Sequence, residues 1–205
     1  MEPQYAIRVE NSAPSQGRPA RSVSWASPLL AEAGVQSVVD LGCGRLRNLG
    51  VMREWFANIT LVDTEPQCKK ISSLVPEDEA IRLVAVDEFK AEEREYGAFF
   101  LICVLHIIDQ PSVREELLRL AESKLREGGF LVVDVPAGEH YYRQRCGEDN
   151  KHGDGWAMGK GSSRTFYKNY RAHELDDLVT SCTSFGLYKK TYFDKHLTRI
   201  WQKPV

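Results

Sequence analysis

The sequence predicts an open α/β sandwich, a mostly parallel sheet covered by helices on both faces and closed by an antiparallel pair of strands. Three observations carry this prediction. Short apolar, β-branched runs alternate with helix-patterned segments along most of the chain. Those runs are nearly continuous in hydrophobicity, the pattern of strands buried on both faces. The last two runs are joined only by Asp194-Lys195-His196, too short a link for a parallel crossover, so they must pair antiparallel.

Each element follows in order. Ser22 to Ala33 has helical spacing, interrupted or started at Pro28, and Ser37 to Leu41 is a buried strand ending at Gly42. Val51 to Phe56 reads as helix, Ile59 to Val62 as strand, Gln67 to Leu74 as helix and Ile81 to Val86 as strand. Phe99 to Cys103, in the most apolar run, is a central strand. Pro111 to Leu125 is a helix with proline in its first turn, and Gly128-Gly129 closes it. Phe130 to Val135 is a fifth strand. His173 to Phe185 forms the last helix with Gly186 as its cap, before strands Leu187 to Phe193 and Leu197 to Gln202.

With 205 residues, 42% of them apolar, the chain suits one domain with a sizeable core. That domain spans residues 22–205, after a flexible N-terminal arm, 1–21, in which Asn11, Ser12, Pro14, Ser15, Gly17 and Pro19 leave little apolar periodicity. A net charge of −2 argues against binding duplex nucleic acid by bulk charge. The longest apolar stretch, Ala98 to Leu105, is far short of a membrane span. Met1-Glu2-Pro3-Gln4 opens no signal peptide, and the 5 cysteines include no C-x-x-C pair. The expectation is a reduced, soluble, cytoplasmic domain without membrane partners. No feature of the sequence sets an oligomeric state.

Asp40-Leu41-Gly42-Cys43-Gly44 stands where the first strand turns into the first sheet-covering helix. Small residues there let backbone approach a ligand, but many plain turns carry two glycines. Asp63 ends the second strand, placed to accept both ribose hydroxyls of an adenosine, and Asp87 ends the third, where it can accept from an adenine amino group. Either acid could cap a helix instead. Three acids at consecutive strand ends beside a glycine turn point to adenosine, because ligands of open α/β sheets bind at that edge.

These segments resemble the class I S-adenosylmethionine-dependent methyltransferases. Val38 to Gly44 is similar to the family's first motif, Leu61-Val62-Asp63-Thr64 to its ribose motif and Val84 to Phe89 to its adenine motif. Leu101 to Ile108 and Leu125 to Val133 are similar to the segments at the fourth and fifth strands, so the resemblance covers about residues 22–136. It implies a Rossmann-like three-layer α/β/α sandwich whose seven-stranded sheet ends in an antiparallel strand, with S-adenosyl-L-methionine as cofactor. It also implies roles. Asp40 and the Gly42 backbone, in the loop with Cys43 and Gly44, would hold the methionine ammonium. Asp63, beside Thr64, would hold the ribose, and Asp87 the adenine amino group with the Glu88 N–H beside it. The Cys103–Val104 backbone would close the methionine side. One position departs from the family: Leu46 stands where a third glycine is frequent.

Methyl transfer from a sulfonium needs collinearity and a dry site more than a covalent residue. A hydroxyl or protonated nitrogen acceptor profits from a base, and His106, just past the fourth strand, is the candidate; a plain rim histidine is the blander use. His140, Tyr141 and Tyr142 rank behind it. Substrate choice is expected in a mobile, glycine-rich lid insertion, 137–171. It interleaves aromatics such as Trp156, Phe166, Tyr167 and Tyr170 with basic residues for a local charge of +3. Aromatics among bases can stack a nucleotide, cap an anionic small molecule or simply anchor a loop. Cys146 and His152 are too few for a metal site. The exocyclic-amine methylases' Asp/Asn-Pro-Pro-aromatic motif is replaced by Cys103-Val104-Leu105-His106, and no Pro-Cys nucleophile is present. The sequence therefore favours methyl transfer to an oxygen or nitrogen of a small-molecule acceptor. The alternatives are a nucleic-acid or nucleotide methyltransferase and, with Leu46 as its only support, a non-catalytic cofactor-binding sensor or partner protein.

Overall fold

The computed structural model describes residues 12, 17–137, 148–193 and 195–205. Most of the expected arm and the lid candidates His140, Tyr141, Tyr142 and Cys146 lie outside the described residues.

Helix α1 (Arg21–Glu32) precedes strand β1 (Ser37–Leu41), whose bounds are those expected. Pro28 lies inside α1 without ending it. Its missing N–H leaves the carbonyl of Ser24 without a helical donor, and Ser24 is exposed, so water can serve it. Then follow α2 (Leu49–Trp55), β2 (Asn58–Asp63), α3 (Glu65–Ile71) and β3 (Ile81–Ala85). Next come a short helix that sequence periodicity did not show, α4 (Val86–Ala91), then β4 (Tyr96–Ile102) and α5 (Pro111–Lys124).

Strand β5 (Leu125–Pro136) starts directly at the end of α5, so Gly128-Gly129 lies within the strand and does not cap the helix. A Cβ at Gly129 would come 2.8 Å from the Arg126 carbonyl oxygen; close backbone approach is why glycine sits there. Helix α6 (Ala172–Cys182) likewise ends three residues before its expected limit, and Gly186 opens β9 (Gly186–Phe193) instead of capping. The chain closes with β10 (His196–Gln202).

Between β5 and α6 the described part of the insertion is an antiparallel three-stranded sheet of β6 (Lys151–His152), β7 (Gly155–Met158) and β8 (Thr165–Tyr167). It is fastened rather than loose. The buried Arg114 of α5 holds both carboxylate oxygens of Asp154 at 2.6 Å, and Lys168 reaches the same carboxylate at 3.3 Å. Such a two-pronged guanidinium–carboxylate pair fixes direction as well as distance.

The main sheet has the order β3-β2-β1-β4-β5-β10-β9, with β10 antiparallel to both its neighbours. Successive residues of the central strands fill opposite faces. Val39, Phe99 and Leu101 pack toward Leu118, Leu175 and Val179 of α5 and α6, whereas Val38, Ala98 and Phe100 pack toward Val23, Leu30 and Met52 of α1 and α2. The strand order reverses between β1 and β4, and that crevice, at the carboxyl ends of the parallel strands, is where such sheets bind ligands. Among the described residues no helix is long and apolar enough to cross a membrane.

Candidate active site

A cavity of about 570 Å³ opens at this rim. Its floor begins where β1 ends. The N–H groups of Gly42 and Cys43 both turn back to the Val62 carbonyl, at 2.8 and 3.3 Å, which bends the chain sharply. Gly42 has φ 78°, and a Cβ there would stand 2.5 Å from Cγ2 of Val104. Gly44 has φ 57°, so both positions favour glycine for their backbone. Leu46 takes the same left-handed conformation, φ 63°, that a glycine would supply. Its side chain packs with the core on the α1–α2 side and is absent from the cavity wall.

Asp63, at the end of β2, faces the cavity and ties the loop in place. The Gly44 N–H donates to Oδ2 at 2.9 Å and the Thr64 N–H to Oδ1 at 2.8 Å. The Cys43 thiol also lies 4.0 Å from Oδ2, and a carboxylate's four lone pairs exceed the two backbone bonds it accepts here. Burial raises the Asp63 carboxyl above its ordinary value, against the pull of these donors. Thr64 and the buried Cys43 complete this wall; the Cys43 thiol is pushed up by burial. Gln67 of α3 donates to the Gly44 carbonyl at 2.6 Å.

Asp40 is nine-tenths buried and more, only 1% exposed, just behind the lining rather than in it. Burial pushes its carboxyl up to about 7, although Asn48 donates to it and Arg47 is near. Its Oδ2 has no hydrogen-bond partner. A buried carboxylate oxygen without a donor is costly unless a cation or donor completes it.

Asp87, expected to end the third strand, and Glu88 instead follow that strand by two and three residues. Strand β3 ends at Ala85, and both residues lie exposed in the first turn of α4, where acids suit the helix's positive end. Neither lines the cavity; Val86 and Lys90 do. At the opposite side, the wall is Cys103, Val104 and His106. Cys103 adopts φ 59°, uncommon for a residue with a side chain, and its N–H is fixed on the Asp134 carbonyl at 2.8 Å. His106 faces the Tyr167 ring edge-on at 5.6 Å, and its Nδ1 is buried without a partner. Burial first, and the nearby His196 next, drive this imidazole down to about 3.

Sequence reasoning missed one pair. His196, at the start of β10, lines the cavity, and its Nδ1 stands 2.7 Å from Oδ1 of the buried Asp134. The signal was an acid inside the apolar strand Phe130 to Val135, which a buried carboxylate's need for a partner could have exposed.

The sheet order, the reversed last strand and the glycine cradle at the end of β1 are the architecture of the class I S-adenosylmethionine-dependent methyltransferases. Comparison with known proteins agrees. A family model described as a methyltransferase domain matches residues 13–181, and the chain belongs to that family. Among solved structures it is similar to an S-adenosylmethionine-dependent methyltransferase from Clostridium acetobutylicum, with TM-score 0.67, 12% identity and coverage of 90% of this chain and 92% of that one. It is also similar to the 1,6-didemethyltoxoflavin-N1-methyltransferase of Burkholderia thailandensis (TM-score 0.64, 20% identity, covering 90% and 79%). A third is the CcbJ methyltransferase of Streptomyces caelestis (TM-score 0.66, 16% identity, covering 92% of each). No curated protein matches the sequence significantly.

Proposed function

We propose that this protein transfers a methyl group from S-adenosylmethionine to an oxygen or nitrogen of a small-molecule acceptor. The observation that carries the reading is the meeting, in the cavity wall, of the Gly42–Gly44 cradle and the cavity-facing Asp63, with the orphaned oxygen of Asp40 just behind them. Those residues fit the cofactor. Asp63 would accept from the ribose hydroxyls, and Asp40, with the backbone at Gly42, would neutralise the ammonium. Val86 would flank the adenine, with Asp87 and the Glu88 N–H next to it at the start of α4. When bound, the cofactor supplies an electrophilic methyl group on a sulfonium, displaced in line.

The chain's part is then to orient and to exclude water. The left-handed backbone at Cys103 and the Val104 side chain packed against Gly42 fix this part of the cavity wall. His106, neutral at physiological pH, accepts a hydrogen bond from the acceptor's O–H or N–H. So low a proton affinity makes it an orienting group first and a weak base second.

Two features support a small acceptor over a nucleic acid. The cavity volume lies within the roughly 300–1,000 Å³ of small-molecule sites. The insertion's Phe166 and Tyr170 are 1% and 2% exposed, so they anchor the lid to the core and present no face for stacking bases. Leu46, the feature that suggested a non-catalytic relative, leaves the cavity clear.

The test is calorimetry with S-adenosylhomocysteine. Asp63→Ala removes charged hydrogen bonds worth about 1.5–3 kcal/mol, so affinity falls by roughly 10- to 100-fold. Unchanged affinity contradicts the reading.

A further inference from the structure

Beside Cys103 the cavity wall carries an oriented imidazole, His196, to which the proposed cofactor contacts give no role. Asp134 is 3% exposed, and both its oxygens are engaged: Oδ1 with Nδ1 of His196 at 2.7 Å, Oδ2 with the Thr198 hydroxyl at 2.8 Å. A carboxylate anchored in this way accepts the Nδ1 proton and fixes the ring, leaving the Nε2 edge of a cavity-lining imidazole for a ligand. Hydrogen bonding to Asp134 holds the imidazole's proton affinity up at about 10, so it is an imidazolium at neutral pH. Arg47 stands on the other side of the same residue, with Nη2 3.6 Å from the Cys103 sulfur, which is itself 3.9 Å from His196 Nδ1. Among the described residues the cavity wall carries five Lys and Arg side chains, and Asp63 is the only acid in it. Asp63 belongs to the ribose end. The buried Asp134 lies behind His196, 2.7 Å from Nδ1, and 3.5 Å from the Cys103 sulfur, so it orients the imidazole from the side away from its Nε2 edge.

We infer that the methyl acceptor carries an anionic group, a carboxylate or a phosphate, and that His196, oriented by Asp134, binds that group beside Arg47. The inference rests on the methyltransferase reading above and adds the acceptor's chemical class. His196 sits next to His106, so the anionic group and the atom to be methylated are addressed by neighbouring imidazoles of opposite character. One donates a charged hydrogen bond, and the other accepts a neutral one. The sulfur, oxygen and nitrogen of Cys103, Asp134 and His196 also lie within 4.8 Å of one another, close enough to ligate a metal. The guanidinium of Arg47 beside the sulfur opposes a divalent cation there, and the 2.7 Å separation of Nδ1 and Oδ1 suits a shared proton.

Calorimetry on the full chain tests this, with benzoate and inorganic phosphate as probes and benzamide as the uncharged control, each with and without saturating S-adenosylhomocysteine. Benzoate or phosphate is expected to bind at least about tenfold more tightly than benzamide, and the one that binds names the anion. His196→Ala is expected to weaken that binding at least about tenfold while leaving S-adenosylhomocysteine affinity within about twofold, which also shows that the variant is folded. Equal binding of charged and uncharged probes, or binding of none of them, overturns the inference using the unaltered protein alone. A His196→Ala variant that loses S-adenosylhomocysteine affinity overturns it too, because the cation then serves the cofactor's own carboxylate. Tight uptake of zinc displaced by His196→Ala overturns it in favour of a metal. Should the unaltered protein fail to bind S-adenosylhomocysteine, the methyltransferase reading fails, and anion binding to the unliganded chain still decides this one.

Discussion

Asp40 and His196 show how burial and partnership push two ordinary side chains in opposite senses. Asp40 is buried with an oxygen unserved, and its carboxyl rises from 3.8 to about 7. Between those values the folded chain holds a proton that the unfolded chain has lost, so its contribution makes stability fall as pH rises through the window. A ligand ammonium reverses this by favouring the carboxylate. Binding of S-adenosylhomocysteine near pH 6.5 is therefore expected to release protons, seen by calorimetry as a heat that changes with the buffer's ionisation enthalpy. Asp40→Asn is expected to abolish the dependence; proton-neutral binding by the unaltered chain contradicts the role given to Asp40. At this scale the cavity-wall positions of Gly42, Gly44 and Asp63 were legible because they lie where a strand ends, a position that sequence marks. His196 was not, because its place in the cavity wall beside Asp134 comes from the register of β10 on β5, which sets Thr198 opposite Asp134 and His196 opposite Pro136. Nothing local to Asp194-Lys195-His196 encodes that pairing.

The elements explain the two kinds of error in the sequence reading. Strongly patterned segments were placed well: β1 has the expected bounds, and α5 differs by one residue. Ends marked by glycine were not, since Gly128, Gly129 and Gly186 serve strands and close backbone contacts rather than helix caps. Helix α4, with six residues, is too short to show a period, and its presence moved Asp87 from a strand end to an exposed helix turn. The insertion was expected to move freely, yet its described part is tied to α5 by Arg114, whose side chain is 3% exposed and which also donates to the Ile108 and Asp109 carbonyls. Arg114→Met is expected to cost about 1–3 kcal/mol, at the lower end because Asp154 is 39% exposed and can turn to water. Trypsin cleavage at Lys151 or Arg164, followed by mass spectrometry, is expected to accelerate in that variant; unchanged cleavage contradicts the fastening role.

For the whole molecule, a net charge of −2 argued only against binding duplex nucleic acid by bulk charge; it says nothing of the basic residues gathered in the cavity wall, which suit an anionic ligand. The fold class was legible from alternation and from the short final hairpin, and the site's place followed from the strand-order reversal between β1 and β4. The central claim is that this crevice receives an adenosyl sulfonium with its ribose on Asp63 and its ammonium at Asp40. A crystal structure with S-adenosylhomocysteine tests it most directly. The account predicts the amino-acid part over Gly42–Gly44, both ribose hydroxyls on the Asp63 carboxylate, and the sulfur facing the space between His106 and His196. An adenosyl group bound elsewhere, or a ribose that makes no contact with Asp63, contradicts it.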